Sequence, residues 1–265
     1  MKQAYPRDGE TEGDPGRRRS PRTLRASPPR ERAGPVSGGT HEHGFSLDGI
    51  AVDPSLPEED RLYAAIRDGL SAGRLMPGQG VGVRPLAEAF GIGPGAAREA
   101  ARRLAAEGAV LLTDSRIEVP PLSLDCFEEL MQARLLLEPA CAVRAMPYVD
   151  RGLLGRVHDY DAVARRAAIS GDAEIGMMAN HRFHFEIYRA APSHVLVPLV
   201  ERIWMRFGPF MRAVYGMAGT PEPPLQHAAI IAAIKRRDPE ALKAAVAEDI
   251  RSGLSVFDSA MSARR

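Results

Sequence analysis

The sequence contains little cysteine and no long apolar run. Only two of its 265 residues are cysteines, Cys126 and Cys141, which are too few for a disulfide scaffold and fit a reducing compartment. The longest apolar runs, residues 195–200 and 228–234, are far shorter than the roughly 20 residues that a membrane span needs. The N-terminus has no apolar segment of the signal-peptide kind. We therefore predict a cytoplasmic protein with no membrane partner.

An excess of charge of one sign is also lacking. The chain has 35 Lys and Arg against 34 Asp and Glu, a net charge of +1, which excludes a histone-like or ribosomal protein but allows a small basic patch. No GxGxxG or GxxxxGK[ST] motif for nucleotide binding is present. The remaining composition, 45% hydrophobic and 26% charged, is typical of a globular protein with one large or two ordinary domains.

Residues 1–44 differ in composition from the rest of the chain. The first 35 residues contain six prolines, and nine Lys and Arg against five Asp and Glu. Few sizeable apolar side chains are available to offset the entropy of ordering this segment. We predict a disordered basic tail, which acts either as a nucleic-acid-binding arm or as a solvated leader.

Residues 55–121 show the pattern of a winged helix-turn-helix. Apolar residues recur at helical spacing from residue 58, and a short helix over 86–90 is separated by Gly91 from a second helix over about 94–107. Pro94 suits the first position of that helix and Gly108 its end. Residues 110–113 and 117–119 then predict a two-stranded hairpin.

Residues 122–262 predict an antiparallel bundle of six helices. Apolar stripes of helical period are interrupted at Pro147, residues 170–171, 192–193 and 221–224, and residues 238–239. The predicted fold class is therefore mostly α, with an N-terminal winged helix-turn-helix and a C-terminal antiparallel all-helical bundle.

Polar side chains lie on the apolar faces of three of these helices. Asn180 and His184 share one face, and His227 and Asp249 lie on the stripes of the last two helices. A buried carboxylate must be hydrogen-bonded, paired or metal-bound. Two imidazoles, a carboxylate and an amide oxygen suit Zn, Mn, Ni or Fe, so we predict a divalent metal site, with a metal-free polar pocket as the alternative. His181 is expected at the surface.

The motifs together resemble GntR-family regulators. The segments Arg74-Leu75-Met76-Pro77-Gly78, Arg84-Pro85-Leu86-Ala87 and Arg98-Glu99-Ala100 are similar to the DNA-binding domain of that family. The segments Arg134-Leu135-Leu136-Leu137-Glu138-Pro139 and Phe183-His184 resemble the FadR-type branch, which has a C-terminal FCD domain that senses a ligand. The resemblance spans about residues 58 to 260 and implies a transcriptional regulator.

The resemblance also implies DNA contacts, and here the sequence departs from the family. Where relatives carry a polar, Arg-containing tetrapeptide at the start of the recognition helix, this chain has Gly93-Pro94-Gly95-Ala96. The wing has Arg116 followed by Ile117 instead of glycine. The arginine fork suits both phosphate and guanine edges, and the residues predicted to contact DNA are Arg84, Arg98, Arg102 and Arg116.

The FCD resemblance implies a four-ligand metal site and a ligand-facing arginine. Asn180 stands at the position of an aspartate, Asp249 at that of a histidine, and His184 and His227 match. Arg134 matches an arginine that faces the effector cavity in relatives. Arg134 either contacts a ligand carboxylate or pairs with Glu138 one turn later.

The resemblance implies a homodimeric repressor that binds a double-stranded DNA operator and responds to a small organic acid. We predict that the protein is not an enzyme. One alternative is an FCD-type sensor with lost or relaxed DNA specificity that acts through a protein partner. Another is a non-haem metal enzyme, because two histidines and a carboxylate are the ligand set of non-haem Fe(II) oxygenases.

Overall fold

The computed structural model of the chain describes residues 53–121, 123–218 and 225–262, and it excludes the side chains of residues 215–218, 225 and 254–262. The predicted tail, residues 1–44, and the predicted break at residues 221–224 lie outside the described residues. The domain boundaries therefore stay a prediction.

The N-terminal part is a winged helix-turn-helix, as the sequence predicted. It consists of α1 (Glu58–Ser71), β1 (Gly80–Gly82), α2 (Val83–Phe90), α3 (Pro94–Ala106), β2 (Leu111–Leu112) and β3 (Arg116–Glu118). Pro94 occupies the first turn of α3, and Gly91 ends α2 in the left-handed conformation with a φ of 60°. Three-residue turns of this kind place α3 across α2.

The sheet has one strand more than the predicted hairpin. Its order is β1-β3-β2, both pairings are antiparallel, and Val81 and Leu112 both lie opposite the buried Ile117. The prediction missed β1 because three residues that include two glycines are too few to show an alternating apolar pattern. Strand β1 closes the sheet edge that the hairpin alone would leave open.

The described residues of the C-terminal part form helices joined by short connections, and no strand. It contains α4 (Leu124–Ala145), a 3-10 helix (Met146–Tyr148), α5 (Arg151–Ser170), α6 (Ala173–Tyr188), α7 (Leu196–Ala218), α8 (Leu225–Arg236) and α9 (Pro239–Ser262). The side chains of Ser123, Asp150 and Asp172 cap α4, α5 and α6 by accepting hydrogen bonds from backbone N–H groups. Within the described residues, none of these helices is long and apolar enough to cross a membrane.

Two apolar cores are joined through α7. One core lies among α1, α2, α3 and the sheet, and the other among α4–α9. Trp204 and Phe207 of α7 belong to the bundle core, whereas Met205 is fully buried in the winged-helix core. An Arg74–Glu174 ion pair of 2.9 Å adds a second link between the two parts. Helix α7 therefore contributes buried side chains to both cores.

Candidate functional site

The bundle brings together the four predicted metal ligands. Asn180 and His184 lie one turn apart on α6, His227 lies on α8 and Asp249 on α9. His184 Nε2 lies 3.1 Å from Asp249 Oδ2, and His227 Nε2 lies 3.9 Å from Asp249 Oδ1 and 3.0 Å from Asn180 Oδ1. One ligand atom from each of His184, His227 and Asp249 lies within 4.8 Å of the others. Both imidazoles are fully buried.

Each histidine has a hydrogen-bond partner on the nitrogen that faces away from this cluster. His227 Nδ1 lies 3.0 Å from Asp161 Oδ1, and His184 Nδ1 lies 3.2 Å from the Tyr188 hydroxyl. Because that hydroxyl donates to Glu138, it accepts from His184 Nδ1–H. Such outer partners fix the tautomer and leave the Nε2 lone pair available.

The protonation states make the cluster rich in acceptors. Burial lowers the pKa of His227, against the neighbouring Asp161 and Asp249, so its imidazole is neutral at neutral pH. Burial alone raises the pKa of Asp249, but His184, His227 and Arg134 lower it overall, so the carboxylate is charged. The Nε2 atoms of His184 and His227, the Asp249 carboxylate and the Asn180 amide oxygen face one another in this cluster.

These residues fit a divalent metal ion. His184 Nε2 is buried and has no hydrogen-bond partner among the described residues, although Asp249 lies 3.1 Å away. Two ligands that each lie about 2.0–2.2 Å from a Zn ion are at most about 4.4 Å apart, which accommodates the separations of 3.0, 3.1 and 3.9 Å. An ion at this point would be held by side chains from α6, α8 and α9.

Glu138 links this cluster to three helices. Its fully buried carboxylate accepts hydrogen bonds from Arg134 Nε at 2.5 Å, Tyr188 Oη at 2.9 Å and Trp204 Nε1 at 2.9 Å. The Arg134 guanidinium is only 4% exposed and lies 3.9 Å from the centroid of the Phe207 ring. The geometry thus contains the Arg134–Glu138 pair that the sequence offered as one alternative, and a ligand contact of Arg134 stays a prediction.

The structure places the predicted DNA-binding arginines of α2 and α3 at the surface. Arg84 and Arg102 are exposed and each pairs with a glutamate of its own helix, Glu88 and Glu99, at 3.3 Å. Arg98 is exposed and makes no ion pair or hydrogen bond with any residue that the structure describes. Arg98 therefore carries the least neutralised positive charge of the three.

Neither the start of α3 nor the wing presents a fully exposed arginine side chain. The N–H of Gly93, which precedes α3, donates to Glu58 of α1 at 2.9 Å, and a Cβ on Gly95 would meet nothing within 4 Å. The residues at the start of α3 thus present backbone and no long side chain. Arg116 is half-buried, and its guanidinium lies over Gly80 of β1.

Sequence analysis missed or misplaced three residues around the cluster. His181 was expected at the surface, but only 9% of it is exposed, because Phe185 and Trp204 pack on its ring. Asp161 and Tyr188 hold the two histidines and were not predicted in that role. Asp161 follows Leu153 and Val157 at spacings of four residues, so helical periodicity alone places it on the inner face of α5.

Comparisons with known proteins identify both parts of the chain. The family model described as bacterial regulatory proteins, gntR family, matches residues 58–116, and the FCD domain model matches residues 129–252. The HTH-type transcriptional regulator McbR of Escherichia coli (strain K12) is 25% identical over 193 residues, which are 71% of this chain and 87% of that protein.

Solved structures show the same fold. The structure of E. coli McbR/YncC has a TM-score of 0.71 at 22% identity and covers 77% of this chain and 99% of its own. A GntR transcriptional regulator from Rhodococcus sp. RHA1 has a TM-score of 0.59 at 18% identity, with 76% and 97% covered. The proteins matched are transcriptional regulators and not enzymes, in agreement with the prediction from sequence.

Proposed function

We propose that this chain, which belongs to the GntR family of transcriptional regulators and carries a C-terminal FCD domain, is a cytoplasmic repressor. In this proposal the FCD domain holds a divalent metal ion and senses a small organic acid. The observation that carries the proposal is the convergence of the lone pairs of His184, His227, Asp249 and Asn180. When bound, the ion supplies a Lewis-acidic position that an effector carboxylate can occupy.

The residues around the ion have separate roles. His184, His227 and Asp249 hold it, and Asn180 adds a neutral oxygen. Asp161 and Tyr188 orient the imidazoles through their Nδ1 atoms. Arg134 pairs with Glu138, and a contact between its guanidinium and an effector carboxylate is part of the proposal.

We expect the purified protein to hold about one divalent ion per chain and to melt at a higher temperature as Zn²⁺, Mn²⁺ or Ni²⁺ is added, because the ion binds only the folded site. His184→Ala should abolish both the ion and the shift, while His158→Ala, an exposed histidine of α5, should keep both. Asn180→Asp should tighten binding by replacing a neutral oxygen with an anionic one. Elemental analysis and thermal denaturation give the readouts, and absence of both metal and shift would contradict the proposal.

We further propose that the protein binds DNA as a homodimer, since one winged helix makes too few contacts for operator affinity and two-fold symmetry doubles them. The start of α3 offers no long side chain to base edges, so most of the contacts are expected to reach phosphates. The same feature is the basis of the alternative, a sensor that acts through a protein partner, whereas the exposed Arg98, which has no ion pair among the described residues, favours DNA binding with relaxed base selectivity.

Arg98→Ala is expected to weaken binding to the protein's own upstream DNA by about 1–3 kcal/mol and to lower the salt slope by about one if the contact is to phosphate. Arg84→Ala should have a smaller effect because Glu88 already neutralises Arg84. Glu99→Ala is the matched control, and it should raise affinity by releasing Arg102. Fluorescence anisotropy over a salt series measures all three, and unchanged affinity of both arginine variants on every DNA would favour the protein-partner alternative.

A further inference from the structure

A groove of about 500 Å³ lies on the surface of the α5–α6 pair. Helix α5 contributes Arg156 and Tyr160, α6 contributes His181 and Arg182, and Arg189 follows the end of α6. None of the four candidate metal ligands lines it. The volume is within the range of about 300–1,000 Å³ that small-molecule sites occupy. The groove is therefore large enough for a metabolite and separate from the metal-ligand cluster.

The lining of the groove is cationic. It contains three arginines and one carboxylate, Glu186, which pairs with Arg156 at 2.6 Å. Arg189 reaches Glu201 of α7 at 2.6 Å. Arg182 makes no ion pair or hydrogen bond within the described part of the chain. At least one guanidinium on the groove is thus available to an external anion.

His181 provides an unpartnered polar group in the same groove. Its ring is 91% buried, since only 9% is exposed, and its centroid lies 4.5 Å from that of Phe185 and 5.4 Å from that of Trp204. Its ring nitrogens form no hydrogen bond with the described residues, yet they are not among the polar atoms that are sealed from solvent. The polar edge of the ring therefore opens into the groove, where a buried polar group needs a partner.

We propose that this groove binds a small organic anion with more than one carboxylate, held by Arg182 and by the ring edge of His181. Arginine forks match carboxylates in bidentate geometry, and Leu153 and Phe185 give the groove apolar surface for the carbon skeleton of the anion. The inference goes beyond the proposed function, because it places a second acid-binding site outside the metal centre.

The position of His181 connects the groove to the DNA-binding part. His181 packs on Trp204 of α7, and the next residue, Met205, is buried in the winged-helix core. An anion that fixes the His181 ring therefore acts on the helix that both cores share. This path is contiguous packing and does not pass through the metal ligands.

The test is isothermal titration calorimetry on the full chain after treatment with EDTA, with acetate, succinate, citrate and inorganic phosphate as separate probes. We expect succinate or citrate to bind more tightly than acetate and phosphate. Arg182→Ala should weaken that binding roughly tenfold or more, the effect of losing one charged hydrogen bond. Arg166→Ala, an exposed arginine of α5 outside the groove, is the matched control and should bind as the unmodified protein does.

Several results overturn the inference. They are binding of none of the four probes, equal binding by the Arg182→Ala and Arg166→Ala proteins, or phosphate binding as tight as that of the carboxylates. If the Arg182→Ala protein still binds the carboxylates and the His184→Ala protein does not, the anion binds at the metal centre instead. The titration needs neither metal nor DNA. A protein that fails to bind metal or operator DNA can therefore still bind the carboxylates in the groove, so the two failures are told apart.

Discussion

Replacement of Glu138 by alanine is expected to lower the free energy of unfolding by about 3–5 kcal/mol, the usual cost of breaking a buried ion pair from one side. The carboxylate is fully buried and accepts hydrogen bonds from Arg134, Tyr188 and Trp204. Alanine leaves the Arg134 guanidinium buried without its anion and removes the acceptor of two further donors. Urea denaturation at fixed metal concentration measures the loss.

A double variant separates the charge from the fold. Arg134→Leu combined with Glu138→Gln removes both charges and keeps an amide oxygen for Tyr188 and Trp204. We expect it to recover most of the stability that Glu138→Ala loses, because removing both partners of a buried pair is often neutral. Glu129→Ala, an exposed glutamate of the same helix, should change stability by less than about 0.5 kcal/mol. If Glu138→Ala unfolds at the same urea concentration as Glu129→Ala, the pair does not stabilise the bundle.

Gly208→Ala is expected to be similarly damaging, with a loss of about 3 kcal/mol, the upper end of the usual cost of overpacking. A Cβ on Gly208 would lie 2.0 Å from the carbonyl oxygen of Leu70 and 2.9 Å from that of Ser71, both at the C-terminal end of α1. These are backbone atoms and cannot rotate away. The variant should therefore separate α1 from α7 and weaken DNA binding together with stability.

The control for this variant is a glycine in an open helical position. A Cβ on Gly155 of α5 would meet nothing within 4 Å, so Gly155→Ala should be neutral or stabilise the protein by up to about 1 kcal/mol through helix propensity alone. Thermal denaturation and DNA binding of the two variants are compared side by side. A Gly208→Ala protein as stable as the Gly155→Ala protein would falsify the close crossing of α1 and α7.

Local patterns in the sequence determined the fold class and the metal-ligand candidates. The helical periodicity can be recognised without a structure because it is a property of a few neighbouring residues. The same holds for Pro94 at the start of α3 and Gly91 after α2. The same periodicity placed His184, His227 and Asp249 on inward faces. Sequence periodicity gives the face of a helix that a residue occupies. Polar residues on the inward faces of three helices of one bundle are therefore expected to lie near one another.

Only the tertiary structure decided which residues of other helices each side chain contacts. His181 shares α6 with His184, yet its burial depends on Trp204, which approaches from α7. Gly208 matters because the end of α1 crosses α7 at that residue, and Arg134 pairs in a pocket completed by Trp204 and Phe207. These contacts join residues more than twenty positions apart in the sequence and on different helices. They depend on helix crossings, which the pattern within a single helix does not encode.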